Sequence, residues 1–373
     1  MKVVLFANTE WYLYNFRRSL ASALRDAGHE VLLLSPPGPY GEKLRALGFR
    51  WLPAPMERRS LNPLRELALV NWLRSLVRDE QVDLVHGFTI KCAVYGSLAA
   101  RLAGVPARVN AVAGMGYVFS SNDLKAKVLR PLVRTMMHVA LGGKSARLVL
   151  QNPDDVGFFE RARVVDRGTI RLIAGSGVDC RRFVPDAGRR RGERFRVLLA
   201  ARLLWDKGIA EYVEAARRLH AAGRAIDFLL AGDPDPGNPA AVPEAQIRGW
   251  VAEGLLQWLG HVDDMPALFA SVDAVVLPSY REGLPKGLIE AGACGLPLVT
   301  TDVPGCREVV TDGVDGLLVQ VRDVATLAAA IARLHDDPAL CERLGRAARE
   351  KALAAFDERI VLDKTLAVYA ELV

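Results

Sequence analysis

Apolar positions along this chain come in short continuous runs, separated by longer stretches whose apolar residues recur at helical spacing. VVLFA (3–7) leads into the helical FRRSLASALRDAG and then into a second strand, HEVLLLS. Short strands end at Asp83-Leu84-Val85-His86 and at Ala107-Arg108-Val109-Asn110, with an Ala-rich helix over 93–103 between them, and SARLVLQN (145–152) reads as another strand. From about residue 190 the rhythm restarts with FRVLLAAR, a helix over 208–222, then IDFLLAG, WLGHV and DAVVLPS. A helix over 286–294, strands PLVTTD and GLLV, and a helix over 325–334 complete it. Strands alternating with helices of this length predict parallel sheets with crossover helices. Two such halves, joined through the Arg-, Pro- and Gly-rich stretch 180–195, predict an α/β fold of two doubly wound domains. The expected division is 1–183, then 184–355, then a C-terminal helix over 356–373 that returns to the first domain. In such sheets ligands sit at the carboxyl ends of the strands, so chemistry is to be sought in the loops that follow them.

Length and composition agree with that picture. A chain of 373 residues is long for one domain, and 51% hydrophobic with 25% charged residues is a globular balance. No stretch approaches the ~18 uninterrupted apolar residues of a membrane span. The start, MKVVLFANTEWYLYNF, lacks the small-residue end of a cleavable signal. Five cysteines without a C-x-x-C pair fit reduced thiols and make a zinc site unexpected. The net charge of +6 hides an asymmetry: residues 1–190 carry 29 Lys/Arg against 16 Asp/Glu, and residues 191–373 carry 20 against 27. A basic first half suits an anionic partner such as a membrane face or a phosphorylated substrate; an Arg-rich solvated surface is the plainer reading. No finger spacing, RNP-like strand or basic-region heptad accompanies the charge, so nucleic acid is not expected as a partner.

The densest candidate chemistry lies in PSYREGLPKGLIEAGACGLPLVTTDVPGCREVV (278–310). Glu282 and Glu290 stand eight positions apart, but Glu342/Glu350 and Glu350/Glu358 repeat that spacing, so spacing alone carries nothing. Context separates the first pair: strand DAVVLPS, a Gly- and Pro-bearing turn and a helix start would aim backbone N–H groups near Gly283 and Leu284 at an anion. A second cluster, AARLLWDKG (200–208), follows strand FRVLL and carries Arg202 and Lys207. Arginine offers a planar fork for phosphate oxygens and lysine a compact charge beside it. A diphosphate held there would leave Glu282 close to the attached group, while Glu290 could accept hydrogen bonds from a vicinal diol such as ribose.

These segments resemble glycosyltransferase family 4, retaining enzymes with two facing Rossmann-like domains (GT-B). Eight stretches in order carry the resemblance: NFRRSLASALRDAGHEV, SLNPLRELALVNWLR, TIKCAVYGSLAARLAGVP, NAVAGMGYVF, LQNPDD, GSGVDCRRF, ARLLWDKGIAEYVEAAR and PSYREGLP. Together they are similar to the branch that builds bacterial O-antigen, capsule and glycoprotein oligosaccharides on polyprenyl diphosphate. The resemblance implies that Arg202 and Lys207 hold the donor diphosphate, without a metal or other cofactor. It further implies Glu282 on the donor sugar, with Gly283, Leu284 and Pro285 near its hydroxyls and the phosphate. Glu290 would take the ribose hydroxyls, and Gly260, His261 and Val262 the base through their main chain. The expected reaction moves a hexose or N-acetylhexosamine from a UDP-sugar to a polyprenyl-diphosphate-linked saccharide. A sugar-nucleotide epimerase and a non-catalytic sugar-nucleotide-binding subunit are the alternatives.

The first half departs from the family at one place. Many members carry His-Gly where this chain has Ala113-Gly114, so no histidine can act there, and His86 is the nearest replacement or simply caps a strand. The acceptor side is assigned to Gly114 and Gly116, to Lys91 for a phosphate, and to Glu10, Tyr14, Asn15 and Arg17 in the first loop. Aromatic residues 11, 12, 14 and 16 equally read as packing for that loop, which lacks the Gly-rich dinucleotide fingerprint. Lys125, Lys127, Arg130 and Arg134 beside Leu124, Val128, Leu129, Leu132, Val133, Met136 and Met137 read as an interfacial helix or as an ordinary covering helix. The expected location is cytoplasmic, peripheral on the inner face of the plasma membrane.

Overall fold

The computed structural model describes all residues except 59, 61, 113–133, 187, 189–191, 193 and 236. The chain forms two compact units, Met1–Gly177 with Arg359–Val373, and Val178–Glu358. The expected first boundary at 183/184 thus falls inside the second unit, because Val178 and Phe183 already pack there through the Phe356 and Arg349 contacts.

Among the described residues the first unit holds seven parallel strands: β1 (Lys2–Phe6), β2 (Glu30–Ser35), β3 (Arg50–Pro53), β4 (Leu84–Phe88), β5 (Ala107–Ala111), β6 (Ala146–Leu150) and β7 (Ile170–Leu172). Their spatial order is β3-β2-β1-β4-β5-β6-β7. Alternate residues of β1 serve opposite faces. Val3 and Leu5 join a core with helix residues Leu20 and Leu24, whereas Val4 and Phe6 join one with Leu69, Leu73 and Val77. Because both faces are covered, the strands are apolar throughout rather than alternating. The C-terminal helix Glu358–Ala370 contributes Val361, Val368 and Tyr369 to the first of these cores.

Among its described residues the second unit holds six parallel strands, β8 (Phe195–Ala200), β9 (Ile226–Ala231), β10 (Gln257–Gly260), β11 (Ala274–Leu277), β12 (Leu298–Thr301) and β13 (Leu317–Val319). The order β10-β9-β8-β11-β12-β13 is that of a doubly wound nucleotide-binding sheet. Tyr212, fully buried on the helix Ile209–Ala221, sets its hydroxyl 2.9 Å from the carbonyl oxygen of Val197 and 3.0 Å from that of Leu229, tying the helix to β8 and β9.

Two helices that the apolar rhythm did not announce, and one in the expected C-terminal helical region, begin at Asx-Pro pairs. Asn62, Asn152 and Asp337 each accept first-turn amides while the next proline occupies a position where its missing N–H costs nothing. Among the described residues no helix is long and apolar enough to cross a membrane.

Candidate active site

In each sheet the chain leaves in opposite directions from the two central strands, and that divergence opens a crevice at their carboxyl ends. In the second unit the strands are β8 and β11, and the loops that follow are 201–208 and 278–285.

Those two loops are welded together. The carbonyl oxygen of Asp206 accepts from the Tyr280 amide at 2.8 Å and from the Ser279 hydroxyl at 3.0 Å. Tyr280 Oη donates to Glu211 Oε1 at 2.7 Å, and burial first, then this bond, pushes the phenol up to about 12. Gly208 turns the first loop into its helix at φ +74°, where a Cβ would lie 2.1 Å from the Pro278 carbonyl oxygen. Only glycine fits. Gly305 buttresses the other side at φ +80°, where a Cβ would lie 2.6 Å from the carbonyl oxygens of Glu282 and Gly283.

The weld sets Lys207 Nζ 2.5 Å from Glu282 Oε1, with 15% and 13% of the two side chains exposed. Glu282 lies just ahead of the helix Lys286–Ala293, which no side chain caps, so its first-turn amides receive no acceptor from a capping residue. A half-buried ammonium next to such a helix start can take an anion. Arg202 does not join this pair. Its Nη1 lies 3.3 Å from Asp235 Oδ2 on the loop after β9, and more than half of the side chain is exposed.

Glu290, one turn into the helix, has Oε1 3.6 Å from Lys286 Nζ. Burial pushes its carboxyl above the ordinary carboxylate range, and the charges of Lys286 and Arg182 pull the other way. Gly260, at φ +65°, ends β10 with its carbonyl oxygen accepting from the Gly232 amide at 2.7 Å. His261 is half-exposed, 3.3 Å from Asp263, and Val262 follows. Sequence reasoning missed Asp235, Glu211, Tyr280 and Arg182. Asp235 follows β9 and Tyr280 stands in the PSYREG turn, so position could have found them; Glu211, inside a helix, and Arg182, between the sheets in sequence, carried no such signal.

In the first unit the loop after β1 is built by Thr9, whose Oγ1 accepts from the Tyr12 amide at 3.1 Å. Glu10 is buried against Gly38. Asn15 donates to the Trp11 carbonyl oxygen at 3.0 Å, and the Tyr14 ring centroid lies 5.3 Å from that of Tyr40. Tyr12 stacks on Phe16 at 5.0 Å, so the aromatic residues of this loop pack on one another. Arg17 is buried, donates to Tyr12 Oη at 2.8 Å and lies over Phe88.

Two expectations need correction. His86 does not end its strand; β4 runs on to Phe88, and His86 is buried with Nδ1 2.6 Å from Tyr369 Oη. Burial, then the Arg17 charge, pushes its imidazole well below the ordinary value, so it is neutral. Lys91 is not free for a phosphate. Its ammonium meets the carbonyl oxygens of Glu57 at 2.7 Å and Ser60 at 3.0 Å and the Glu66 carboxylate at 2.8 Å, which uses all three donors. Gly114, Gly116 and the basic segment from Leu124 to Val133 lie outside the described residues. Among the described residues no group of three His, Cys, Asp or Glu is placed to hold a metal ion.

Comparison with known proteins gives this geometry a family. Residues 194–337 match the family described as glycosyl transferases group 1, and residues 2–151 match glycosyl transferase 4-like. The chain is 28% identical to a Campylobacter jejuni N,N'-diacetylbacillosaminyl-diphospho-undecaprenol alpha-1,3-N-acetylgalactosaminyltransferase, over 99% of this chain and 98% of the relative. It is 26% identical to an Escherichia coli UDP-Gal:alpha-D-GlcNAc-diphosphoundecaprenol alpha-1,3-galactosyltransferase, over 84% and 82%. Among solved structures, Anabaena HepE in complex with UDP and glucose superposes with a TM-score of 0.81 at 20% identity, covering 99% of both chains. A Rickettsia africae glycosyltransferase does so at 0.80 and 19%, covering 100% of this chain and 98% of that one. The two sheets have the GT-B architecture, and the chain belongs to the group 1, 4-like glycosyltransferases.

Proposed function

We propose that this protein transfers a hexose or N-acetylhexosamine, with retention, from a UDP-sugar to a saccharide carried on polyprenyl diphosphate in bacterial surface-glycan assembly. The two lipid-linked-saccharide transferases that match over most of the chain support the acceptor class. The observation that carries the site is the Lys207–Glu282 pair at the divergence of β8 and β11.

The donor diphosphate takes the place of Glu282 beside Lys207, with Arg202 swinging from Asp235 to the outer phosphate. Both cations then neutralise the charge that grows on the diphosphate as the bond from sugar C1 breaks, so no metal is required. Glu282, released from the lysine, orients the sugar hydroxyls. Glu290 as carboxylate accepts from the ribose hydroxyls, and the main chain of Gly260, His261 and Val262 holds the base. The acceptor oxygen attacks C1 on the face that the diphosphate leaves, and its proton passes to a diphosphate oxygen. That route gives retention without an enzymic nucleophile. On the acceptor side Glu10, Tyr14, Asn15 and Arg17 line the loop after β1.

The test is transfer of labelled sugar from UDP-GalNAc, UDP-Gal, UDP-GlcNAc and UDP-Glc to a synthetic polyprenyl-diphosphate saccharide in EDTA. An α-linked product from one of these donors is expected. Activity that appears only when a divalent cation is restored, or a β-linked product, would contradict the mechanism. The proposed location, peripheral on an anionic membrane, predicts flotation with anionic liposomes at low salt; no flotation refutes it.

A further inference from the structure

Arg17 is a cation with 5% of its surface exposed, and among the described residues it makes no ion pair with a carboxylate. Its surroundings are aromatic. The guanidinium carbon lies 4.3 Å from the Phe88 ring centroid and 5.4 Å from that of Tyr12, and among the described residues the one side chain to which Arg17 donates is Tyr12, through its Oη. Glu10, seven residues earlier on the same turn, is packed against Gly38 instead. A buried charge without a counter-ion is costly, and structures retain one where a ligand supplies the missing partner.

Among the described residues, two buried nitrogens of this cluster lack a hydrogen-bond partner. Arg17 Nε is buried and has no hydrogen-bond partner. His86, whose ring centroid lies 4.0 Å from that of Phe88, has a buried Nε2 without a partner as well. Tyr369 Oη meets His86 Nδ1 at 2.6 Å, a contact that the phenol makes as donor or as acceptor depending on the ring tautomer. In the tautomer where the phenol donates, the neutral ring carries its proton on Nε2 and both nitrogens are N–H donors, the form that a bound anion selects.

The backbone beside them is strained. Thr89, directly after Phe88, has φ +71°, which a β-branched residue rarely adopts, and it opens the 14-residue helix Ile90–Ala103 with no side-chain cap. Strain of this kind is retained where it places groups for a task. Here it puts an uncapped helix start at the carboxyl end of β4, next in the chain to the ring that carries the guanidinium.

We propose that Arg17, with His86 Nε2–H and the start of the helix Ile90–Ala103, is a phosphate-binding site of the first unit, and that the phosphate it takes is the diphosphate of the lipid-linked acceptor. The acceptor assignment rests on the transferase reading above, in which the donor diphosphate belongs to Lys207 and Arg202. It also replaces Lys91, whose donors are all engaged.

The experiment titrates inorganic pyrophosphate into the protein saturated with UDP, for wild type and Arg17→Gln. Binding in wild type that is lost in Arg17→Gln, while UDP still binds, supports the site. Equal binding in both proteins overturns it. Tungstate soaked into wild-type crystals reads the site even where the variant does not fold: an anomalous peak at Arg17 and His86 supports it, and an ordered water there in its place overturns it. Neither readout needs turnover, so Arg17-dependent pyrophosphate binding in a protein that ignores UDP would sink the donor reading and leave the anion site standing. For the acceptor assignment, Arg17→Gln should raise the KM for the lipid-linked saccharide by about tenfold or more, the usual worth of a charged hydrogen bond. A rise in the donor KM instead would contradict that assignment.

Discussion

Lys207 and Glu282 form an ion pair, and the proposed chemistry requires that they part. Removing the lysine therefore acts twice: it leaves a half-buried carboxylate unpaired, and it takes away a charge that stabilises the leaving diphosphate. Lys207→Ala should lower kcat by about 10²–10³-fold, the range measured for loss of one such stabilising group. Initial rates at saturating donor check this; a change in KM alone would show that the lysine binds ground state and transition state equally. Glu290 supplies a pH signature. Burial raises its carboxyl above the ordinary 4.5, so from there upward the folded chain holds a proton that the unfolded chain has released, and stability falls as pH rises through the raised value. Binding of ribose hydroxyls needs the carboxylate, so affinity for a UDP-sugar should rise over the same window. Calorimetric titration between pH 4.5 and 8 should show that rise in wild type and a flat profile in Glu290→Gln; identical profiles would remove Glu290 from the ribose.

At the scale of elements, glycine geometry and a C-terminal anchor hold the site's framework. Gly208→Ala forces a side chain to within 2.1 Å of the Pro278 carbonyl oxygen at a left-handed φ, so the two loops must separate. It should cost about 1–3 kcal/mol, read by denaturant unfolding, and weaken donor binding with it. A neutral outcome would mean that the loops are not welded there. The C-terminal helix is pinned by Glu371, which meets Arg147 at 2.6 Å and Arg171 at 2.5 Å. The Arg171 bond first, then Arg147, holds this carboxyl down at about 2. The stability it contributes is present in full above 4.5 and is lost as pH falls toward about 2. Glu371→Gln should therefore lose stability at pH 7 and approach wild type in acid; an equal difference at both pH values would contradict this.

How much of this was legible follows from the same elements. Central strands such as VVLFA and DAVVLPS are legible because burial on both faces leaves them apolar throughout. Edge strand β7, Ile170-Arg171-Leu172, is not, since three residues carry no pattern. The donor-side loops were readable because each follows a strong strand and opens a helix. The Arg17–Phe88–His86–Tyr369 cluster was not, because Tyr369 stands 283 residues from His86 and only sheet order and the returning helix bring them together.

For the whole molecule, one sheet design is used twice, and charge distinguishes the copies. The first 190 residues carry 29 basic against 16 acidic side chains, and the phosphate site proposed at Arg17 gives one of those cations a task beyond solubility. The second unit is acidic overall yet concentrates Lys207 and an uncapped helix start at one crevice. The central claim is that this crevice binds a nucleotide diphosphate-sugar without a metal. The most direct measurement is thermal unfolding with UDP-, GDP-, ADP- and dTDP-sugars in EDTA, for wild type and Glu290→Ala. A donor at 100 times its dissociation constant stabilises by about 2.7 kcal/mol, and the account predicts such a shift for UDP-sugars, lost in Glu290→Ala. No shift with any nucleotide, or an equal shift in the variant, would contradict it.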